Sequence, residues 1–261
     1  MMSDRVPPGV SAAVPNVARM YDYYLGGKDN FASDRAAAEK VLSIIPEIRG
    51  DARNSRAFLQ RAVRHLRQAG VDQFLDIGSG LPTAGHVHEV IEGAKIVYVD
   101  NDSVVLTHSR ALLGHSPDVT VQEGDLRRPE AVMERAAEVL DFSRPIALLV
   151  VSLLHFVTDD EDPVGVIHRY RDLLPPGSHL VLTHVAPDTM PSKADDVSAV
   201  YRNATSPFTA RRRSVFASML DGFDVLEPGI VNTREWRPDP DTDPSPIDGD
   251  YHLCAVGRKR S

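Results

Sequence analysis

Phe74-Leu75-Asp76-Ile77-Gly78-Ser79-Gly80-Leu81-Pro82-Thr83 is the stretch that decides the fold class. An apolar run ends in an acid and opens into a glycine turn, as when the first strand of an open α/β sheet delivers its carboxyl end to a ligand crevice. Gly78 and Gly80 let the backbone approach a ligand more closely than any side chain would permit. Thr83 stands where a dinucleotide fingerprint carries its third glycine, so dinucleotide binding is not the leading reading.

Acids recur at the ends of later apolar runs. Ala94-Lys95-Ile96-Val97-Tyr98-Val99 closes on Asp100, 24 positions after Asp76 and near the interval at which an acid reaches a ribose diol. Val119-Thr120-Val121-Gln122-Glu123 leads into Gly124-Asp125-Leu126, a third strand with a Gly-Asp turn. Residues 145–155 are almost continuously apolar up to His155, as expected of a strand buried on both faces. Four strands then end at one rim, and the helical segments between them imply parallel βαβ units.

Those helices are expected over residues 83–91, 103–113, 129–140 and 163–174, with a further one over 209–220. Ahead of the first strand, residues 35–45 and 51–68 read as helices, the second with Phe58, Leu59, Ala62, Val63 and Leu66 on one face. Residues 1–15 read as a small, proline-rich tail, 186–207 as polar and turn-rich, and 238–249 as a proline- and aspartate-rich loop. The division expected is an N-terminal tail and helical cap or lid over 1–57, followed by the ligand-binding α/β domain over 58–261.

Composition excludes several classes. Of 261 residues one is cysteine, Cys254, so an intramolecular disulfide framework is ruled out and a reducing cytoplasm is the expected location. There is no basic leader with an apolar core and no long apolar run, so neither secretion nor membrane spanning is expected. A formal charge of -8 argues against broad capture of nucleic acid. The short basic runs Arg211-Arg212-Arg213 and Arg258-Lys259-Arg260 lack interleaved aromatics and read as solvated faces.

The strand-end motifs resemble the successive cofactor motifs of class I S-adenosylmethionine-dependent methyltransferases, and residues 173–183 are similar to that superfamily's turn into a fifth strand. Residues 16–31, with Asp34-Arg35 behind them, resemble the opening of an actinobacterial family of S-adenosylmethionine methyltransferases once known only as a domain of unknown function. The resemblance covers nearly the whole chain. It implies a Rossmann-like doubly wound sheet of seven strands with an antiparallel last strand, the cofactor S-adenosylmethionine with S-adenosylhomocysteine as product, and methyl transfer to an unidentified small-molecule acceptor. A catalytically silent cofactor-binding regulator and an NAD-dependent oxidoreductase are the alternatives.

On this reading Gly78, Ser79 and Gly80 admit the cofactor, Asp76 orients the turn or receives its ammonium, and Asp100 accepts the ribose hydroxyls with help from Asn101. Gly124, Asp125 and the Leu126 amide serve the adenine edge, and Ser152 and Leu153 line the methionine side. Any one of these acids would read equally well as a helix cap; their recurrence in register favours a site. His155 is the candidate general base by similarity to the Leu-His-Asp-Trp region of O-methyltransferases, although Phe156 and Val157 replace the Asp-Trp pair, and a packed histidine is the competing reading. Tyr21, Tyr24, Lys28 and Asn30 are candidates for a lid, Asn54 (with Arg53 and Arg56) for the methionine carboxylate, and Tyr201 and Trp236 for the acceptor pocket. His86, His88, His108, His115, His168 and His179 form no metal-ligand constellation, and no metal is expected.

Overall fold

In the computed structural model, residues 11–82, 85–113, 116–187, 193–240 and 250–260 are described. Five strands, β1 (Gln73–Ile77), β2 (Lys95–Asp100), β3 (Val119–Glu123), β4 (Ala147–Val150) and β5 (His179–Val185), run parallel. Two short strands follow, β6 (Phe223–Val225) and β7 (Val231–Asn232), and then β8 (His252–Lys259), which pairs antiparallel with β5, β6 and β7. The order is β3-β2-β1-β4-β5-β8-β6, so the direction of strand addition reverses between β1 and β4, where open α/β sheets build their crevice. Among the described residues the sheet thus holds eight strands rather than the seven expected; the extra one, β7, is two residues long and too short to leave a periodic signal.

The pleat explains why both faces are covered. Leu75 and Ile77 of β1, Val97 and Val99 of β2, and Leu148 and Val150 of β4 pack on one face with Val132, Met133, Val166, Ile167, Tyr170 and Phe216. These partners come from α6 (Pro129–Ala136), α7 (Pro163–Leu173) and α9 (Arg213–Ser218). The alternate residues Phe74, Ile96, Tyr98 and Leu149 face the other way, onto Phe58, Leu59, Ala62, Val63 and Leu66 of α3 (Ile48–Gln68). The crossover elements α4 (Val87–Val90) and α5 (Ser103–Leu113) flank β2. Residues 83–84, the expected start of the first crossover helix, lie outside the described residues.

The cap consists of α1 (Val17–Leu25), α2 (Ala32–Ile44) and the first turns of α3. The boundary expected at 57/58 falls inside α3, so cap and sheet share that helix. A third cluster joins Met20, Tyr24, Ala38, Val41 and Ile45 to Val197, Tyr201 and Phe208. Val197 and Tyr201 belong to α8 (Ala194–Tyr201), a helix in a segment expected to be turn-rich; these two, four positions apart, are its buried residues.

The cap motif is held by two buried carboxylates. Asp34 accepts from the backbone N–H of Asn16 and Phe31 and from Arg19 Nε at 2.7 Å. Asp22 accepts from the Asp29 N–H and from Asn30 Nδ2 at 2.8 Å, and a Cβ at Gly27 would collide with its carboxyl group. The Gly-Gly-Lys-Asp-Asn segment is therefore a loop folded around Asp22.

Candidate active site

All eleven residues expected at the cofactor line one crevice of about 440 Å³ at the carboxyl ends of β1 to β4: Asp76, Gly78, Ser79, Gly80, Asp100, Asn101, Gly124, Asp125, Leu126, Ser152 and Leu153. Gly78 and Gly80 have φ of 71° and 69°, the left-handed region that a side chain disfavours, and a Cβ on Gly78 would lie 2.6 Å from Leu153 Cδ2. Asp100 accepts from the Gly80 N–H at 3.0 Å and the Asp102 N–H at 2.9 Å, which fixes its carboxyl group at the crevice wall. Burial raises its pKa to about 6, the two hydrogen bonds opposing that shift. Burial also raises Asp76, to about 7, with Asp100 adding to the effect and Arg56 opposing it.

These features fit a ligand with a zwitterionic amino-acid end and a diol. Asp76 is a nearly buried acid that a cation would ionise, and Arg56 lines the same crevice with a buried Nε that has no hydrogen-bond partner. Asp76 and Arg56 together suit the ammonium and carboxylate of methionine, and Asp100 suits the ribose hydroxyls. Asp125 is already engaged: Arg127 Nε and Nη2 contact its carboxylate at 2.8 and 2.7 Å while Nη1 reaches Glu161 at 2.7 Å. Burial works against that charge, and the Arg127 hydrogen bonds outweigh it and hold the acid below the usual carboxylate range. Arg127, Glu161 and Asn16 line the crevice without having been expected there. Asn16 bridges two helix starts, its Oδ1 accepting from the Ala18 and Arg19 N–H groups and its Nδ2 donating to Asp102, which accepts from the Val104 and Val105 N–H groups at the start of α5.

A second, smaller chamber of about 40 Å³ lies behind the crevice, and Val17, Tyr21, Ser152 and Phe156 line both. Tyr24, Tyr201 and His155 are here; the Tyr24 and Tyr201 hydroxyls meet at 3.3 Å. His155 is buried against Phe156, Phe208 and His252, and its Nδ1 has no hydrogen-bond partner. Burial, then His252, His184 and Arg211, keep its pKa well below that of ordinary imidazole. The floor is a group of residues remote in sequence. His252 Nδ1 lies 2.8 Å from Asp51 Oδ2, Asp51 Oδ1 accepts from the Tyr251 N–H at 2.8 Å, and His252 Nε2 stands 3.5 Å from Ser152 Oγ. Ser152, with φ of 54°, donates its N–H to Thr183 and meets Ser55 Oγ at 2.7 Å.

Four expected residues lie elsewhere. Trp236 is fully buried, edge-on to Phe58 at 5.5 Å in the sheet's core, so it is not an acceptor-pocket wall. Lys28 is exposed and lines neither cavity, and Asn30 is committed to Asp22 and the Gly27 carbonyl, so neither forms a lid over the crevice. Asn54 is half-buried outside both cavities; its neighbour Arg56 is the residue that reaches the crevice. The basic runs are engaged locally. Arg211 is buried between Asp159, the Leu154 carbonyl and His184; Lys259 binds the Leu174 carbonyl and Arg260 pairs with Asp224. No helix of the described residues is long and apolar enough to cross a membrane.

Comparison with known proteins agrees with this geometry. Residues 4–260 match the model of a family described as S-adenosyl methyltransferase. A crystal structure from Thermobifida fusca YX, presented as a candidate methyltransferase, is 39% identical with a TM-score of 0.91, covering 99% of this chain and 100% of its own. A DUF574 family protein from Streptomyces avermitilis MA-4680 is 35% identical with a TM-score of 0.89, covering 94% and 98%. Human N-acetylserotonin methyltransferase in complex with SAM shares the fold at 16% identity and a TM-score of 0.51, over 95% of this chain and 63% of that one. No curated protein matches the chain. Neither the oxidoreductase alternative nor that of a silent regulator gains support from these matches. The chain belongs to the S-adenosyl methyltransferase family, and it is an enzyme of class I fold that uses S-adenosylmethionine.

Proposed function

We propose that this enzyme methylates a small molecule, with the cofactor held by Asp76, Gly78, Gly80, Asp100 and Arg56 in the outer crevice. The observation that carries the reading is the adjacency of two cavities that share Ser152 and Phe156, one sized and charged for the cofactor and one closed in by aromatic rings. When bound, S-adenosylmethionine supplies an electrophilic methyl group whose carbon–sulfur electron pair stays on the departing thioether. The chain's own work is then to orient, to keep water out and to manage a proton. Glycine backbone and the two acids fix the cofactor's position; Tyr21, Phe156 and Val17 separate its reactive end from solvent.

A small acceptor fits better than a macromolecule, because the inner chamber is narrow and the basic runs are tied down within the fold. Production of S-adenosylhomocysteine, followed by mass spectrometry while fractionated metabolite pools are added, tests the proposal. A pool-dependent signal paired with a mass gain of one methyl group is expected. Turnover only with added protein or nucleic acid would overturn the small-molecule assignment.

A further inference from the structure

We propose that the inner chamber is the acceptor site, that it takes the neutral hydroxyl of a small phenolic acceptor, and that the Asp51–His252 pair receives the hydroxyl proton. The inference rests on the reading of the outer crevice as the cofactor site. His155, the candidate read from sequence, becomes a wall group.

The geometry distinguishes the two histidines. Asp51 is fully buried and accepts from the Tyr251 N–H and from His252 Nδ1, so the carboxylate fixes both the ring and its tautomer, with the proton on Nδ1. The Nε2 lone pair then faces Ser152, at 3.5 Å a contact too long to occupy it fully, beside the boundary with the crevice. His155 has no such orienting partner. Its unpartnered Nδ1 is a second sign of a missing polar group, because buried polar atoms are normally hydrogen-bonded.

The wall selects the acceptor class. Tyr21, Tyr24, Phe156, Tyr201 and Phe208 present aromatic rings, and the lining contains no lysine or arginine. A carboxylate acceptor would therefore meet Asp51 with only His252 to offset the two charges, whereas a phenol brings a planar apolar body and a proton to lose. A volume of about 40 Å³ admits the reactive hydroxyl and its immediate carbons, well short of the ~150 Å³ cavity that takes benzene. The rest of the ring sits toward Val17, Tyr21 and Phe156, where chamber and crevice meet. In the proton step the phenolic O–H bond breaks, its electron pair stays on oxygen for attack on methyl, and the proton forms a bond to His252 Nε2. Water takes that proton after the product leaves.

The groups facing His252 are Asp51, Asp250, Ser152, His155 and His184. Burial opposes the imidazolium, and Asp51 and Asp250 outweigh it and raise the pKa above that of ordinary imidazole.

The test uses the full chain saturated with S-adenosylhomocysteine, with 4-nitrophenol as probe, whose ionised form absorbs in the visible. Calorimetry first establishes that S-adenosylhomocysteine binds; failure there overturns the cofactor reading rather than this one. With it bound, saturable uptake of the probe and at least a threefold gain in its phenolate fraction at pH 6 are expected, because the imidazolium of His252, favoured at that pH by Asp51 and Asp250, holds the phenolate against Nε2 as the protonated partner of the pair. In His252→Gln the gain should vanish while S-adenosylhomocysteine affinity stays within about threefold. Imidazole NMR of the unsubstituted protein gives an independent reading if that variant does not fold: the probe should shift the His252 titration and leave His65 unmoved. S-adenosylhomocysteine binding with no probe uptake, an undiminished phenolate gain in His252→Gln, or an unmoved His252 titration would each overturn the proposal.

Discussion

The outer crevice and the inner chamber share a wall at Ser152, yet they hold their acids differently. In the crevice, Asp76 has Arg56 as its charged neighbour, Asp100 accepts from backbone N–H groups among the described residues, and burial raises both pKa values. In the chamber, Asp51 is saturated by a backbone N–H and an imidazole. The crevice thus keeps charge capacity in reserve for a cationic ligand, whereas the chamber has used its charge to orient a ring. An acid in the first region serves binding; an acid in the second serves architecture as well.

Asp51→Ala is expected to have the largest effect on the fold, because two buried donors lose their acceptor at about 1–3 kcal/mol each, or roughly 2–6 kcal/mol in all. Asp100→Ala should alter fold stability by about 1 kcal/mol or less, since Gly80 and Asp102, whose N–H groups it accepts from, are only partly buried at the crevice wall. Denaturant melts of the two cofactor-free variants check the contrast, and equal losses would break it.

Gly78→Ala comes next. Its left-handed backbone costs an alanine about 1–2 kcal/mol, and the new Cβ presses on Leu153 at the crevice wall. About tenfold weaker S-adenosylhomocysteine binding is expected by calorimetry, with the Asp51–His252 pair untouched.

The pH dependence sharpens the same comparison. Asp76 and Asp100 hold their protons to about 7 and 6 in the folded chain, above their unfolded values, so the folded state binds more protons across that window. Cofactor-free stability therefore falls as pH rises from the ordinary carboxylate range through about 7. Cofactor affinity moves oppositely, because ammonium and diol favour the ionised acids, and should rise up to about tenfold per pH unit per group below its pKa. Thermal melts at pH 5 to 8 with and without S-adenosylhomocysteine read both slopes; parallel slopes would show that neither acid meets the ligand. The smallest effect belongs to Lys28→Ala, expected within about 0.5 kcal/mol for stability and for binding, since that side chain is exposed and away from both cavities.

The two regions also differ in how visible they are in sequence. Each of the eleven crevice residues expected from sequence lies at the end of its own strand or within a few positions of it, so a run such as Phe74-Leu75-Asp76-Ile77-Gly78 carries element and site together. The chamber is assembled across the fold: Asp51 and His252 are 201 positions apart, and Ser55 and Ser152 are 97 apart. The antiparallel return of β8 beside β5 brings His252 to Asp51, the packing of α3 at the end of β4 brings Ser55 to Ser152, and no local periodicity encodes either. Lys28 and Asn30 were misplaced for a related reason. Donor-rich turn residues look the same whether they face a ligand or, as here for Asn30, a buried acid of their own helix. Trp236 has an aromatic ring of the right type but is buried in the core against α3 and lines neither cavity.

The most direct test of the central claim is calorimetric titration of S-adenosylhomocysteine into the wild type and Asp100→Ala, with NAD as a control. Charge-assisted contacts to the ribose are worth about 1.5–3 kcal/mol each before water compensates. The account predicts tight wild-type binding, at least a tenfold loss in the folded variant, and no competition from NAD. Equal affinity in the two proteins would remove Asp100 from the site, and tighter binding of NAD would contradict the account as a whole.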